Sequence, residues 1–269
     1  MELSNHTILI TGGTSGIGLE LASQLLNHGN TIIITGRNQA RLDQVKQNLP
    51  GIHTIQSDVS KPEQITSLYY QVIKEFPDLN FLINNAGEMR RLDLHDAALD
   101  VNDITREIEI NLSGPIRMVQ QFLPHLQKQK NATVLNVTSG IAFVPFPLSP
   151  IYSASKAGLQ SYTRALRIQL KKDNIKVFEL AAPAANTPLN DKFSADNTNP
   201  KMLMDADKLV QATLKGLEKD QYQIKPGMAK MLALLSRLAP GFIFKVMAKM
   251  AEKAFAQPLQ TQTELHSII

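Results

Sequence analysis

Residues 8–20 read ILITGGTSGIGLE, which brings Gly12, Gly16 and Gly18 to the point where an apolar β-branched run gives way to an amphipathic stretch. Glycines there let a strand turn sharply into a helix and let an anion come close to the backbone N–H groups at the positive end of the helix dipole. An ordinary strand-to-helix turn of small residues is the alternative, and it does not need three glycines at this spacing. The segment Gly12, Thr14, Ser15, Gly16, Ile17 and Gly18 is therefore a candidate cradle for a pyrophosphate. Its pattern is TGxxxGxG, not the more common GxGxxG.

The same alternation continues along the chain. Strands are predicted at 7–11, 31–35, 52–56, 79–84, 132–138 and 175–180, with helices at 16–28, 39–48, 60–75, 104–129 and 152–172 between them. Strands that alternate with helices make βαβ units and a parallel sheet, so the expected class is α/β, doubly wound. No internal repeat or low-complexity linker divides the chain, and a single domain over residues 1–269 is expected. Residues 191–200 are polar and turn-rich and interrupt the pattern where a mobile loop fits; a substrate loop is expected over about 188–204.

Composition removes several chemistries. Without cysteine there is no thiolate nucleophile, disulfide or iron–sulfur cluster, and no metal site is expected. The formal charge is +4, yet the stretch from Lys225 to Lys253 alone carries +5, six basic residues against Glu252. The high pI of about 9.2 thus reflects one patch, and nucleic acid is not expected as a partner. The start MELSNHTILI lacks a basic n-region and a long apolar core, which leads us to expect a cytoplasmic protein.

After the second strand, where a dinucleotide fold usually places an acid against the adenosine ribose, the chain reads Thr35, Gly36, Arg37. A guanidinium there can pair with a 2′-phosphate, which favours NADP(H); Arg37 as a solvated surface cation is the competing reading. Asp58 and Val59 follow the third strand, placed for the adenine edge unless Asp58 starts the next turn. NNAG after the fourth strand gives Asn85, Ala86 and Gly87 for close approach to the cofactor, and a side-chain amide to brace neighbouring strands.

YSASK sets Tyr152 and Lys156 four apart, on one helix face. A phenol is a weak acid at neutral pH, and a nearby ammonium favours its ionised form. A surface pair is the bland alternative. Ser139 ends the fifth strand, at the sheet's carboxyl edge, unless it only caps a turn. Asn111 lies inside a predicted helix, where Asn is unfavourable and needs a reason, structural or functional.

TGGTSGIG, NNAG, Asn111, Ser139 and YSASK, in this order, resemble the short-chain dehydrogenase/reductase superfamily over nearly the whole chain. The resemblance implies a three-layer Rossmann fold with a seven-stranded parallel sheet in order 3-2-1-4-5-6-7. It also implies a carbonyl–alcohol oxidoreductase using NADP(H), with Tyr152 as general acid–base. Lys156 would lower the phenol pKa and hold the nicotinamide ribose, Ser139 would polarise the carbonyl, and Asn111 would help hold a relay water. Pro183 and Thr187 would lie on the nicotinamide side, in a segment AAPAANT where Ala184 stands in place of a common glycine. A homodimer or tetramer through the helices beginning near Ile104 and Tyr152 is implied as well.

Stretches such as LNVTSGIAFVPF and QYQIKPGMAKMLALLSRLAP are similar to the DltE-like bacterial subfamily, a label that records association with lipoteichoic acid D-alanylation and not a substrate. A non-catalytic nucleotide-binding regulatory protein is the rival reading. Helices at about 226–256 are expected to be amphipathic, with Lys245, Lys249 and Lys253 on one side. They could pack on the core or another subunit, or close over the substrate; contact with a membrane surface is the reading least expected.

Overall fold

The computed structural model describes residues 1–191 and 203–256. The loop expected over 191–200 falls, past Asp191, outside them. Strands β1 (Thr7–Thr11), β2 (Thr31–Gly36), β3 (His53–Gln56), β4 (Leu79–Asn84), β5 (Thr133–Ser139), β6 (Lys176–Ala182) and β7 (Gln223–Ile224) form one parallel sheet in the order β3-β2-β1-β4-β5-β6-β7. Parallel neighbours need crossovers, and helices supply them. The helices α1 (Gly16–Asn27), α2 (Gln39–Asn48) and α3 (Pro62–Glu75) link the first four strands.

Successive side chains on a strand point to opposite faces, so each strand feeds two cores. On one face Ile8, Ile10 and Ile32 pack with Leu21 and Leu25 of α1 and with Leu209 and Leu217 of α8 (Ala206–Glu218). On the other, Leu9, Ile33 and Leu82 meet Leu68 of α3, Phe122 of α5 (Gly114–Leu126) and Leu166 of α6 (Pro150–Gln169). Both faces being covered explains why these strands read as unbroken apolar runs. The order reverses between β1 and β4, and a crevice opens there at the carboxyl ends of the strands, where ligands bind in such sheets.

Helix boundaries depart from expectation in two places. The helix predicted at 104–129 is one turn, α4 (Arg106–Ile108), then a π turn at Glu109–Ser113, then α5. Pro115, in the first turn of α5, has no N–H to give the carbonyl four residues back, so the α pattern cannot run through Asn111. The helix predicted from Tyr152 starts earlier, with Pro150 in its first turn, which places Tyr152 in that turn.

The irregular stretch after β4 is held by Arg90. Its backbone N–H donates to Glu107 Oε1 at 2.8 Å, its guanidinium reaches Asp103 Oδ2 at 2.7 Å, and it also donates to the carbonyls of Asp103 and Ile104. Glu107 is fully buried, so removing its cation leaves a charge in apolar surroundings. Arg90→Ala is expected to lower unfolding free energy by about 2–3 kcal/mol in urea titrations. A change below about 0.5 kcal/mol would show that the pair is not holding this segment.

Between β6 and α8 lies the short α7 (Pro188–Asp191), and after β7 the chain forms α9 (Met228–Leu238) and α10 (Pro240–Phe255), joined at Ala239. Ile243 and Met247 of α10 and Leu232 and Leu235 of α9 pack against Ile141, Val144 and Phe146, the segment that follows β5.

Candidate active site

The glycine loop is shaped first by its neighbours in the protein. Gly12 has φ +66, and a Cβ there would sit 2.8 Å from the Ala86 Cα. A Cβ at Gly18 would overlap the Asn85 amide and the Gly12 carbonyl. Asn85 is the brace: its Nδ2 donates to the carbonyls of Thr11 and Gly12, both at 3.0 Å, while Thr11 Oγ1 accepts from the backbone of Asn85 and Ala86. Asn84 ties β4 to β5 through Asn136 Oδ1 at 2.8 Å. The N-cap Ser15 makes no side-chain capping bond and the first turn of α1 holds no acid, which leaves its positive end open to an anion.

A single cavity of about 1300 Å³ runs across the carboxyl edge of the sheet. It is lined by Gly12, Thr14, Ser15, Gly16, Ile17, Arg37, Asp58, Val59, Asn85, Ala86, Gly87, Ser139, Tyr152, Lys156, Pro183 and Thr187. Of the residues singled out from the sequence, Gly18 and Asn111 do not line it. The first packs behind the loop, and the second is fully buried.

Where the wall passes the ends of β2 and β3, the sequence reasoning missed Thr35, Asn38, Arg41 and Ser57. The hydroxyls of Thr35 and Ser57 are buried and have no hydrogen-bond partner. Unpartnered buried hydroxyls are costly, and these two face the end of the cavity where an adenosine would lie, so the residues present fit a dinucleotide. Arg41 follows Arg37 by four residues in TGRNQAR, a second cation that was visible in the sequence. Asn38 caps α2 by accepting from the Arg41 N–H at 3.0 Å. Arg37 lies 3.8 Å from Glu88, whose other oxygen takes Arg106 at 2.8 Å. Asp58 does start a turn, since its Oδ1 accepts from Ser60 N and Oγ at 2.9 and 2.8 Å; it lines the cavity as well.

At the centre, the Ser139 hydroxyl stands beside the Tyr152 hydroxyl, and both line the cavity. Lys156 Nζ donates to the Val137 carbonyl at 2.8 Å and stands 5.7 Å from the centre of the Tyr152 ring. Burial pushes the phenol up to about 12; the neighbouring Ser139 hydroxyl works against this, and the charge of Glu107 adds to it. A lowered phenol pKa, expected from the Tyr152–Lys156 spacing, is therefore not a property of these side chains alone, because the ammonium is turned toward Val137. Asn111 is saturated on its donor side: Nδ2 gives to Glu88 O at 2.8 Å and Ser155 Oγ at 3.0 Å, while Oδ1 accepts from Glu88 N at 2.9 Å.

Burial lowers Lys156 to about 8 from its ordinary 10.5. Between those two pH values the unfolded chain holds a proton the folded chain has released, so this group's contribution to stability rises with pH across that window. Below pH 8 its full penalty of roughly 3 kcal/mol applies. Lys156→Met leaves the Val137 carbonyl without this donor, a loss of about 1 kcal/mol. The variant is expected to be more stable than the parent by about 2 kcal/mol at pH 7 without dinucleotide, the gap shrinking as pH rises and the order reversing near pH 10.5, where the lost hydrogen bond outweighs what is left of the penalty. Unfolding titrations at both pH values check this; a less stable variant at pH 7 would contradict it.

Ala184, where a glycine is common, has no positive φ and is paired through its carbonyl with Met204 N at 2.9 Å. The backbone here does not take the left-handed conformation that would require a glycine.

The family model described as short chain dehydrogenase matches residues 6–198. The chain belongs to this family. An oxidoreductase of Bacillus subtilis (strain 168) described as "Uncharacterized oxidoreductase DltE" is 42% identical over 224 residues, 83% of this chain and 89% of its own. A short chain dehydrogenase from Burkholderia cenocepacia J2315 in complex with NADP superposes with a TM-score of 0.79 at 24% identity, covering 92% of this chain and 99% of its own. A family member from Burkholderia phymatum in complex with NAD gives 0.77 at 20% identity, covering 86% and 93%. At these identities the two structures show the fold, and they differ in the dinucleotide they hold. Among the described residues of this short chain dehydrogenase no helix is long and apolar enough to cross a membrane.

Proposed function

We propose that the protein is an NADP(H)-dependent oxidoreductase that interconverts an alcohol with a ketone or aldehyde. The observation that carries this reading is a buried Tyr152 hydroxyl beside Ser139, in the same cavity as the open glycine loop. Gly12, Thr14, Ser15, Gly16 and Ile17 would hold the pyrophosphate, with Gly18 keeping the loop closed from behind. Arg37 and Arg41 would take the 2′-phosphate, Asp58, Val59, Thr35 and Ser57 the adenosine, and Asn85, Ala86, Gly87, Pro183 and Thr187 the nicotinamide half. When bound, the dinucleotide supplies or accepts the hydride, and its oxidised ring brings a positive charge to the site.

The protein's own residues manage the proton. Tyr152 protonates the carbonyl oxygen in reduction and takes the proton back in oxidation, while Ser139 donates a hydrogen bond to the same oxygen. Lys156 places a positive charge below the phenol, which favours the phenolate left after transfer. Asn111 fixes the backbone of Glu88 on both sides; its remaining acceptor lone pair is where a relay water would find a partner. The test is binding of NADPH and NADH, followed by an absorbance screen of NADPH oxidation against ketones, aldehydes and diketones. Tight binding without turnover of any class would instead favour the non-catalytic reading.

A further inference from the structure

The substrate side of the cavity is apolar to a degree that a small polar metabolite does not need. Beyond Tyr152 the wall passes from Leu148 and Phe146 to Met247, and it ends at Met231, Val246 and Met250. The last three are 46%, 37% and 47% exposed although they line the cavity, so its mouth on the α9–α10 side is itself apolar. Leu234, Leu238 and Phe242 continue this surface outside at 56%, 74% and 62% exposure.

Among the described residues, polar side chains on this part of the wall are few and turned elsewhere. Asn190 gives its amide to the Ala185 carbonyl at 2.7 Å. Lys253 is exposed, so its ammonium reaches water. A site that selects a sugar or a hydroxy acid needs convergent donors and acceptors, and among the described residues those at the reacting end are Ser139 and Tyr152.

Shape adds to chemistry. Helix α10 faces the cavity from Ile243 to Ala254, at helical spacing, which is a wall about 16 Å long. Met89, Met228, Met231, Met247 and Met250 all line the cavity, five of the nine methionines in the chain. Unbranched thioethers adapt to a flexible guest, where branched side chains would impose one shape.

We infer that the substrate of the proposed reaction is a carbonyl or alcohol at the end of a long, flexible apolar chain, its polar end at Tyr152 and its tail running along α10 to the mouth at Met231, Val246 and Met250. The inference rests on the carbonyl–alcohol reading of the site for the reacting end, and on the cavity wall alone for the chain.

The experiment measures kcat/KM with NADPH for straight-chain aldehydes from butanal to dodecanal, each below its aggregation threshold. The expected result is a rise of up to about fourfold per added methylene until the tail reaches the mouth, then a plateau. A flat or falling series overturns the inference. Met250→Glu, at a half-exposed position that tolerates charge, is expected to reduce decanal turnover at least tenfold and butanal turnover less than twofold. An equal effect on both removes the mouth from the path; if that variant does not fold, the parent series decides alone.

Binding separates the two readings. In Tyr152→Phe protein, decanol and butanol compete with a fluorescent fatty-chain probe. Tighter binding of decanol with no aldehyde turned over by the parent retires the carbonyl reading and keeps the apolar chain. Turnover without chain-length dependence does the reverse.

Discussion

Tyr152→Phe is expected to lower kcat/KM for carbonyl reduction by about 10³–10⁴ while leaving NADPH affinity within twofold. The loss is confined to chemistry because the ring and the hydroxyl have separate surroundings. The ring packs against Met89, Leu148, Ala251 and Ala254, contacts that phenylalanine keeps. The hydroxyl meets Ser139, which retains a second partner in the Ile141 N–H at 3.4 Å. Among the described residues none near it offers a replacement acid, since its hydrogen bond to the Val137 carbonyl turns the Lys156 ammonium away. Steady-state rates with fluorescence titration of NADPH read both quantities. Retention of more than a tenth of the activity would remove Tyr152 from the proton step.

Replacing Arg37 and Arg41 together by alanine is expected to weaken NADPH binding by about 100-fold and NADH binding by less than threefold. Each charge-assisted contact to a phosphate contributes roughly 1.5–3 kcal/mol when well formed. The lower end applies here because the Arg37 side chain is 61% exposed and shares its charge with Glu88. The NADPH preference proposed for the parent should fall with added salt for the same reason. Equal losses for both dinucleotides would mean that the two arginines act on the fold of the β2–α2 turn and not on a 2′-phosphate.

The sheet and the loop were legible in the sequence because their signals are local. The runs at 7–11 and 79–84 are bounded by turn residues, and Gly12, Gly16 and Gly18 sit on the strand-to-helix turn itself. Tyr152 and Lys156 were legible for the same reason, being one turn apart on a helix. What escaped depends on partners distant in sequence. The π turn around Asn111 adds a residue that a 3.6-residue period averages away, and only Pro115 hints at it. The unpartnered hydroxyls of Thr35 and Ser57 become visible only when β2 and β3 lie side by side. β7 is two residues long, too short to show a period.

The C-terminal helices were foreseen as amphipathic, but the apolar part of their exposed surface was not. Periodicity set lysines on one side of the last helix, whereas Phe244, Val246 and Met250 stand exposed among them. The buried stripe of α10 is narrow, Ile243, Met247, Ala251 and Ala254, because the helix covers a cavity instead of a filled core.

The π turn at Glu109–Ser113 has a further consequence for the angular phase of the helix it interrupts. Each residue of an α-helix advances the side-chain direction by about 100°, so one surplus residue rotates everything before it relative to everything after. Here the earlier part turns Glu107 toward Arg90 and packs beside α6, while α5 turns Met118 and Phe122 into the core beneath β4. Neither part need compromise with the other's facing. Deleting one residue from 109–113 would bring the two into a common phase, and either the Arg90 latch or the α5 core face would then point the wrong way.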